Sequence, residues 1–272
     1  MIELAISSWS LHGQFGQVWY EPDPDKVMIN HGGQNPANLD LLDLPAQMAE
    51  NGIFVLELCN FHLPSVENSY LLRLKQAMQD AGVSLANLLI DTGNLSAADD
   101  ADWLDSIKMA SFWQDIAQTL GAKGVRLDCG TDAPTPAAIE RSARALQELF
   151  DYGHKIGLST TVENWRQLSL EPVNLLEIMR QVDRPLKLCV DFGNAEKTAD
   201  KMATLETLLP HANSIHLKVN FDGLAVDVDE LNTYMAMIQQ VNFAGHISLI
   251  VGETSDEWER IQAMKAAVER VL

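Results

Sequence analysis

Cysteine is scarce and unpatterned in this chain. Cys59, Cys129 and Cys189 stand far apart, with no CxxC pair and no disulfide framework. Each sits in an apolar run, where a thiol behaves as a small buried hydrophobe, so a reduced, intracellular and cytoplasmic protein is expected. Basic residues are the second shortage: 19 Lys and Arg face 38 Asp and Glu, a formal net charge of −19. Phosphate backbones and anionic bilayers are held by clustered Lys and Arg, so nucleic acid and membrane are excluded as partners. No apolar run approaches the length needed to span a bilayer. The opening Met1-Ile-Glu-Leu enters a strand with no basic leader and no long apolar segment. A phosphate loop is missing too, because Ser7-Ser-Trp-Ser-Leu-His-Gly13 has the wrong spacing for a dinucleotide fingerprint.

What remains is ample material for one core. The 272 residues are 47% hydrophobic and 21% charged, an ordered composition. β-prone runs are expected at 3–8, 54–59, 84–90, 124–128, 158–163, 186–191, 214–219 and 246–251. Helical patterns lie between them. Leu71, Leu74 and Met78 precede Gly82, Ile116, Ala117 and Leu120 precede Gly121, and Thr135-Pro136 marks a helix start. Eight strands alternating with eight helices predict an α/β fold, a closed parallel (β/α)8 TIM barrel, as a single domain over 1–272. The one irregularity is a long first βα loop, about 13–38, rich in Gly, Pro, Asn and Asp, expected as a lid over the site.

Three of these runs stop on chemistry-bearing residues. Leu158-Ser-Thr-Thr-Val-Glu163-Asn164 is followed by Lys187-Leu-Cys-Val-Asp191-Phe-Gly-Asn194 and then by Ser214-Ile-His216-Leu-Lys218. Residues at the C-terminal ends of barrel strands face the catalytic mouth, so Glu163, Asp191 and His216 are expected to converge on one divalent cation, Mn, Mg, Co or Zn. Any one of them alone would more simply cap a helix or bond a loop. Lys218 shares the face of His216 by alternation and either serves the site as proton donor or oxyanion partner, or is a surface lysine. Asn164 and Asn194 either orient a ligand or a substrate hydroxyl, or occupy turns. Glu57 is a carboxylate inside an apolar run, costly unless paired or functional. His62 follows it at a loop and either reaches a substrate or is a merely exposed loop histidine.

At these residues the chain resembles the xylose isomerase-like TIM-barrel superfamily, in its sugar phosphate isomerase/epimerase group. The resemblance runs through Ile6-Ser-Ser-Trp-Ser10, Glu57-Leu-Cys-Asn-Phe-His62-Leu, Leu120-Gly-Ala-Lys-Gly-Val-Arg126, Val162-Glu163-Asn164, Val190-Asp191-Phe-Gly-Asn194 and Ile215-His216-Leu-Lys218. It implies a metal held by a Glu, an Asp, a His and a second Glu from the last four strands. The first three match Glu163, Asp191 and His216, whereas Ile250 stands where the fourth is expected and Glu253 comes three positions later. A bulge or bent strand end would be needed to bring Glu253 inward as ligand.

The implied reaction is isomerisation or epimerisation of a small polyhydroxylated substrate, a sugar or sugar phosphate, by proton transfer next to a carbonyl. Glu163 would be one base, and the second group would be Glu253, Lys218 or His62. The ketose epimerases carry a substrate-binding His where this chain has Asn194. The alternatives are a lyase similar to the inosose dehydratases, or a catalytically silent sugar-binding barrel. Cleavage of DNA at abasic sites, known in another branch, needs a His-rich zinc cluster. It is disfavoured by 7 histidines and the charge of −19. Barrels of this group often pair, so the resemblance allows a homodimer, while the residues themselves leave the oligomeric state open.

Overall fold

The computed structural model describes residues 2–15, 38–252 and 255–272 in full, and the backbone alone over 18–23 and 26–32. In chain order the strands are β1 (Glu3–Ser7), β2 (Val18–Asp23), β3 (Lys26–Gly32), β4 (Val55–Cys59), β5 (Ser84–Ile90), β6 (Gly124–Leu127), β7 (Ser159–Glu163), β8 (Lys187–Asp191), β9 (Ser214–Leu217), β10 (Phe221–Asp222), β11 (Ala225–Val226) and β12 (His246–Leu249). The helices are α1 (Leu44–Glu50), α2 (Asn68–Asp80), α3 (Asp100–Leu120), α4 (Pro136–Lys155), α5 (Arg166–Ser169), α6 (Pro172–Val182), α7 (Phe192–Ala195), α8 (Lys201–Leu208), α9 (Val228–Gln240) and α10 (Glu257–Glu269). Eight strands close a barrel in the order β1-β12-β9-β8-β7-β6-β5-β4, every neighbouring pair parallel.

Local chemistry sets where the helices start and stop. The Thr135 hydroxyl accepts from the Ala138 N–H, and Pro136 opens α4 where no N–H is needed. Asp99 caps α3 in the same manner, accepting from Ala101 and Asp102 N–H. Gly121 ends α3 in a left-handed conformation, φ 80°, which a side chain would strain. The helices bury their apolar stripes against the outer face of the barrel, with Trp113 and Phe192 among the largest fully buried side chains. Among the described residues no helix is long and apolar enough to cross a membrane.

The expected long loop is not structureless. Within it β2 and β3 pair as an antiparallel hairpin, whose first strand lies against the turn Asn60–His62. The signal for it is Val18-Trp19-Tyr20 and Val27-Met28-Ile29 flanking Pro22-Asp23-Pro24-Asp25, two β-prone runs around turn residues.

The barrel interior is unusually polar. Alternate residues point inward, so β12 sends His246 and Ser248 into the barrel beside Glu57 of β4 and His216 of β9. Glu57, His216 and Ser248 form a buried layer beneath the mouth, and half-buried His246 adjoins it from the side of the strand starts.

Candidate functional site

Strand alternation and parallel register bring the three expected residues to one place. Glu163 ends β7 opposite Cys189, and Asp191 ends β8 opposite His216. His216 Nδ1 lies 3.4 Å from an Asp191 oxygen and 3.8 Å from Glu163 Oε1. All three side chains line a cavity of about 220 Å³ at the C-terminal mouth of the barrel. That is room for one small molecule, below the roughly 300–1,000 Å³ of drug-sized sites. Trp9 and Trp165 supply apolar walls to it.

Each acid is held by a defined set of partners. Asp191 Oδ1 accepts from the Asn194 N–H at 2.6 Å, capping the short α7, so the cap and the site use the same carboxylate. Lys218 Nζ sits 3.1 and 3.3 Å from the two Asp191 oxygens. Burial opposes the charge of Asp191, but His216 and Lys218 outweigh it and hold the carboxyl below its ordinary value. Gly193 permits the Lys218 contact, since a Cβ there would lie 2.3 Å from Lys218 Cδ.

Glu163 Oε1 accepts from Asn194 Nδ2 at 3.0 Å. Arg126 Nε lies 3.0 Å from Glu163 Oε2, close enough to pair, though neither atom makes an aligned hydrogen bond. Arg126 also pairs with Asp91. Burial raises the Glu163 carboxyl above its ordinary value, only partly offset by Arg126 and His216.

Behind His216 stands Glu57, which is fully buried. It takes His216 Nε2 at 2.8 Å, the Ser248 hydroxyl at 2.6 Å and Asn87 Nδ2 at 2.9 Å, while His246 Nε2 lies 3.2 Å away without an aligned hydrogen bond. Burial alone would raise its carboxyl; the two histidines instead pull it well below its ordinary value. His216 is pushed well above its own despite burial, by the acidic groups around it. Bonding of Nε2 to Glu57 leaves Nδ1 as the atom presented to Glu163 and Asp191.

Several expected substrate-binding residues lie elsewhere. Glu57 does not line the cavity; its oxygens are consumed one layer below, so it orients His216 rather than a substrate. His62 is also buried, with Nδ1 bonded to Ser8 Oγ and Nε2 to His12 Nδ1, each at 2.8 Å. Burial and the nearby His12 lower it to about 3, which keeps the ring neutral. Asn164 is spent on the backbone: its Nδ2 donates to the Asp191 carbonyl and its Oδ1 accepts the Asp191 N–H, clamping β7 to β8. Asn194 does line the cavity and touches Glu163. Ile250 is part of the cavity wall, and Glu253 lies outside the described residues.

Sequence reasoning misses Cys189. A carboxylate oxygen of Glu163, an imidazole nitrogen of His216 and Cys189 Sγ all lie within 4.8 Å of one another. Burial pushes the Cys189 thiol up to about 11. The available signal is parity, since Cys189 stands two residues before Asp191 on the same face of β8.

Comparison with solved structures finds the same barrel at low identity. A structure described as L-ribulose 3-epimerase superposes with TM-score 0.76 at 16% identity, covering 100% of this chain and 95% of that one. A D-allulose 3-epimerase from Methylomonas sp. in complex with D-allulose gives TM-score 0.73 at 13% identity, covering 100% and 97%. A xylose isomerase-like TIM barrel protein from Mycobacterium smegmatis in complex with magnesium gives 0.68 at 15%, covering 99% and 96%. Comparison with curated protein sequences finds no match. Residues 45–270 match the sequence family described as xylose isomerase-like TIM barrel, and the chain belongs to that family.

Proposed function

We propose that the chain is a divalent-metal-dependent epimerase or isomerase of a small sugar, acting by proton transfer next to a carbonyl. The observation that carries this reading is the meeting of Glu163, Asp191 and His216 from consecutive strand ends in one cavity of monosaccharide scale. The neighbours named as 3-epimerases of L-ribulose and D-allulose support the substrate class.

The donor set suits a cation. Glu163 Oε2 is buried without an aligned hydrogen bond, and His216 presents Nδ1 to two carboxylates while Glu57 fixes its other nitrogen. Glu163 and His216, with Asp191 beside them, would hold the ion, which supplies Lewis-acid polarisation of a substrate carbonyl.

The rest is done by the chain's own groups. Glu163, its basicity raised by burial, accepts the proton from the carbon beside the carbonyl while Asn194 and Arg126 fix its orientation. Lys218, held on Asp191 and one-third exposed toward the cavity, returns a proton or balances the developing oxyanion. This role falls to Lys218 among the described residues because Ile250 offers no acid at the end of the last strand. Trp9 and Trp165 line the cavity and offer indole surface to the carbon skeleton.

Solvent deuterium exchange into a panel of ketoses tests the reading. Label is expected at the carbon next to the carbonyl, and Glu163→Gln is expected to abolish it. Sugar binding with no label at any position would instead favour a silent binding barrel.

A further inference from the structure

The eighth barrel strand contributes no acid among the described residues. Ser248 donates to Glu57, and Ile250 fills the wall with a hydrocarbon side chain. Asp191 is heavily committed, its oxygens engaged by Lys218 and the Asn194 N–H. The donor atom that gathers with Glu163 and His216 is Cys189 Sγ, within 4.8 Å of both. It reaches them because β8 projects Cys189 and Asp191 to the same side, and because the β7–β8 register sets Cys189 directly beside Glu163.

We infer that Cys189 is a metal ligand, and that the carboxylate–thiolate–imidazole set selects Zn²⁺ or Co²⁺ over Mg²⁺ and Mn²⁺. The inference rests on the proposed metal-dependent reading and deepens it by assigning the ligand and the class of ion. Hard Mg²⁺ demands oxygen donors and keeps its waters, whereas a thiolate is a soft ligand suited to zinc and cobalt. Three protein donors with a fourth position open to substrate oxygen is the pattern of catalytic zinc. Glu57 bonded to His216 Nε2 completes a carboxylate–histidine arrangement behind the ion. On binding, the thiol gives up its proton to solvent and the sulfur–metal bond forms, with no change of oxidation state.

Cobalt titration of the purified full-length chain reads this directly. Co²⁺ is expected to produce a near-ultraviolet thiolate-to-cobalt charge-transfer band. Cys189→Ser should lose that band, while Cys59→Ala, which removes the thiol that lines the cavity, should keep it. Zn²⁺ affinity is expected to fall in Cys189→Ser by at least about 10–100-fold, the range for losing even an outer-shell partner. Zinc-edge X-ray absorption of the unmutated chain needs no variant, and one sulfur at about 2.3 Å is expected. Cobalt or zinc bound with only nitrogen and oxygen neighbours overturns the inference and leaves the metal reading standing. No binding of Co²⁺, Zn²⁺, Mn²⁺ or Mg²⁺ overturns both.

Discussion

Glu57 touches nothing in the cavity, yet four polar side chains converge on its buried carboxylate. Breaking a buried charge pair by removing one member typically costs about 3–5 kcal/mol, because the other charge is left uncompensated. Glu57→Gln is therefore expected to lose stability of that order in urea titration at neutral pH. The sign with pH follows from both partners. Glu57 is held below its ordinary 4.5, so its contribution is present above that pH and fades as pH falls further. His216 is held above its ordinary 6.5, so its contribution is full below that pH and fades as pH rises through the elevated value. The cost of Glu57→Gln should thus shrink in strong acid; a cost that does not vary with pH would contradict the pairing.

His62 behaves oppositely to His216. Its pKa falls from 6.5 to about 3 on burial, so folding is favoured above 6.5 and loses that support as pH drops toward 3. The melting temperature should decline on acidification through that window, and less steeply in His62→Gln. At this scale Glu163, Asp191, His216 and Lys218 are legible in the sequence, because residue type at a strand end is nearly all the argument needs. The roles of Glu57 and His62 are not, because their partners are far away in sequence: His216 lies 159 residues from Glu57. Cys189 reads as a hydrophobe because its neighbours in sequence are apolar, while its neighbours in space are Glu163 and His216.

Among the elements, the turn from β8 into α7 has the most work to do. Asp191 caps α7 and anchors Lys218, and Gly193 leaves the space through which the lysine stem passes. A methyl at Gly193 would collide with the lysine side chain, a flexible neighbour that can swing away, rather than with backbone. Gly193→Ala is therefore expected to fold, with circular dichroism unchanged, while losing the Lys218–Asp191 contact and slowing proton exchange into substrate. Unchanged exchange in a folded Gly193→Ala chain would remove Lys218 from the chemistry. Helix boundaries at Gly121 and Thr135 are legible because caps are local. The hairpin β2–β3 is less so, because its β-prone runs are short and sit among residues of loop composition.

For the whole molecule, the barrel reading comes from eight β-prone runs spaced by helices, since each parallel strand pair requires a crossover and eight such units are the number that a closed (β/α)8 barrel holds. The closed order β1-β12-β9-β8-β7-β6-β5-β4 bears out that reading, and closure sets the ends of β7, β8 and β9 side by side. A protein of net charge −19 with clustered buried acids gains when a cation is taken up at the mouth. An ion bound at 100 times its dissociation constant adds about 2.7 kcal/mol to folding stability, and melting should rise accordingly. The most direct measurement is elemental analysis of the purified chain after dialysis, for the unmutated protein and for His216→Ala. About one equivalent of divalent metal is expected in the first and a large loss in the second, with chelation lowering the melting temperature of the first alone. Absence of stoichiometric metal, together with no change in melting when Zn²⁺, Co²⁺, Mn²⁺ or Mg²⁺ is added, would contradict a metal centre at Glu163, Asp191 and His216.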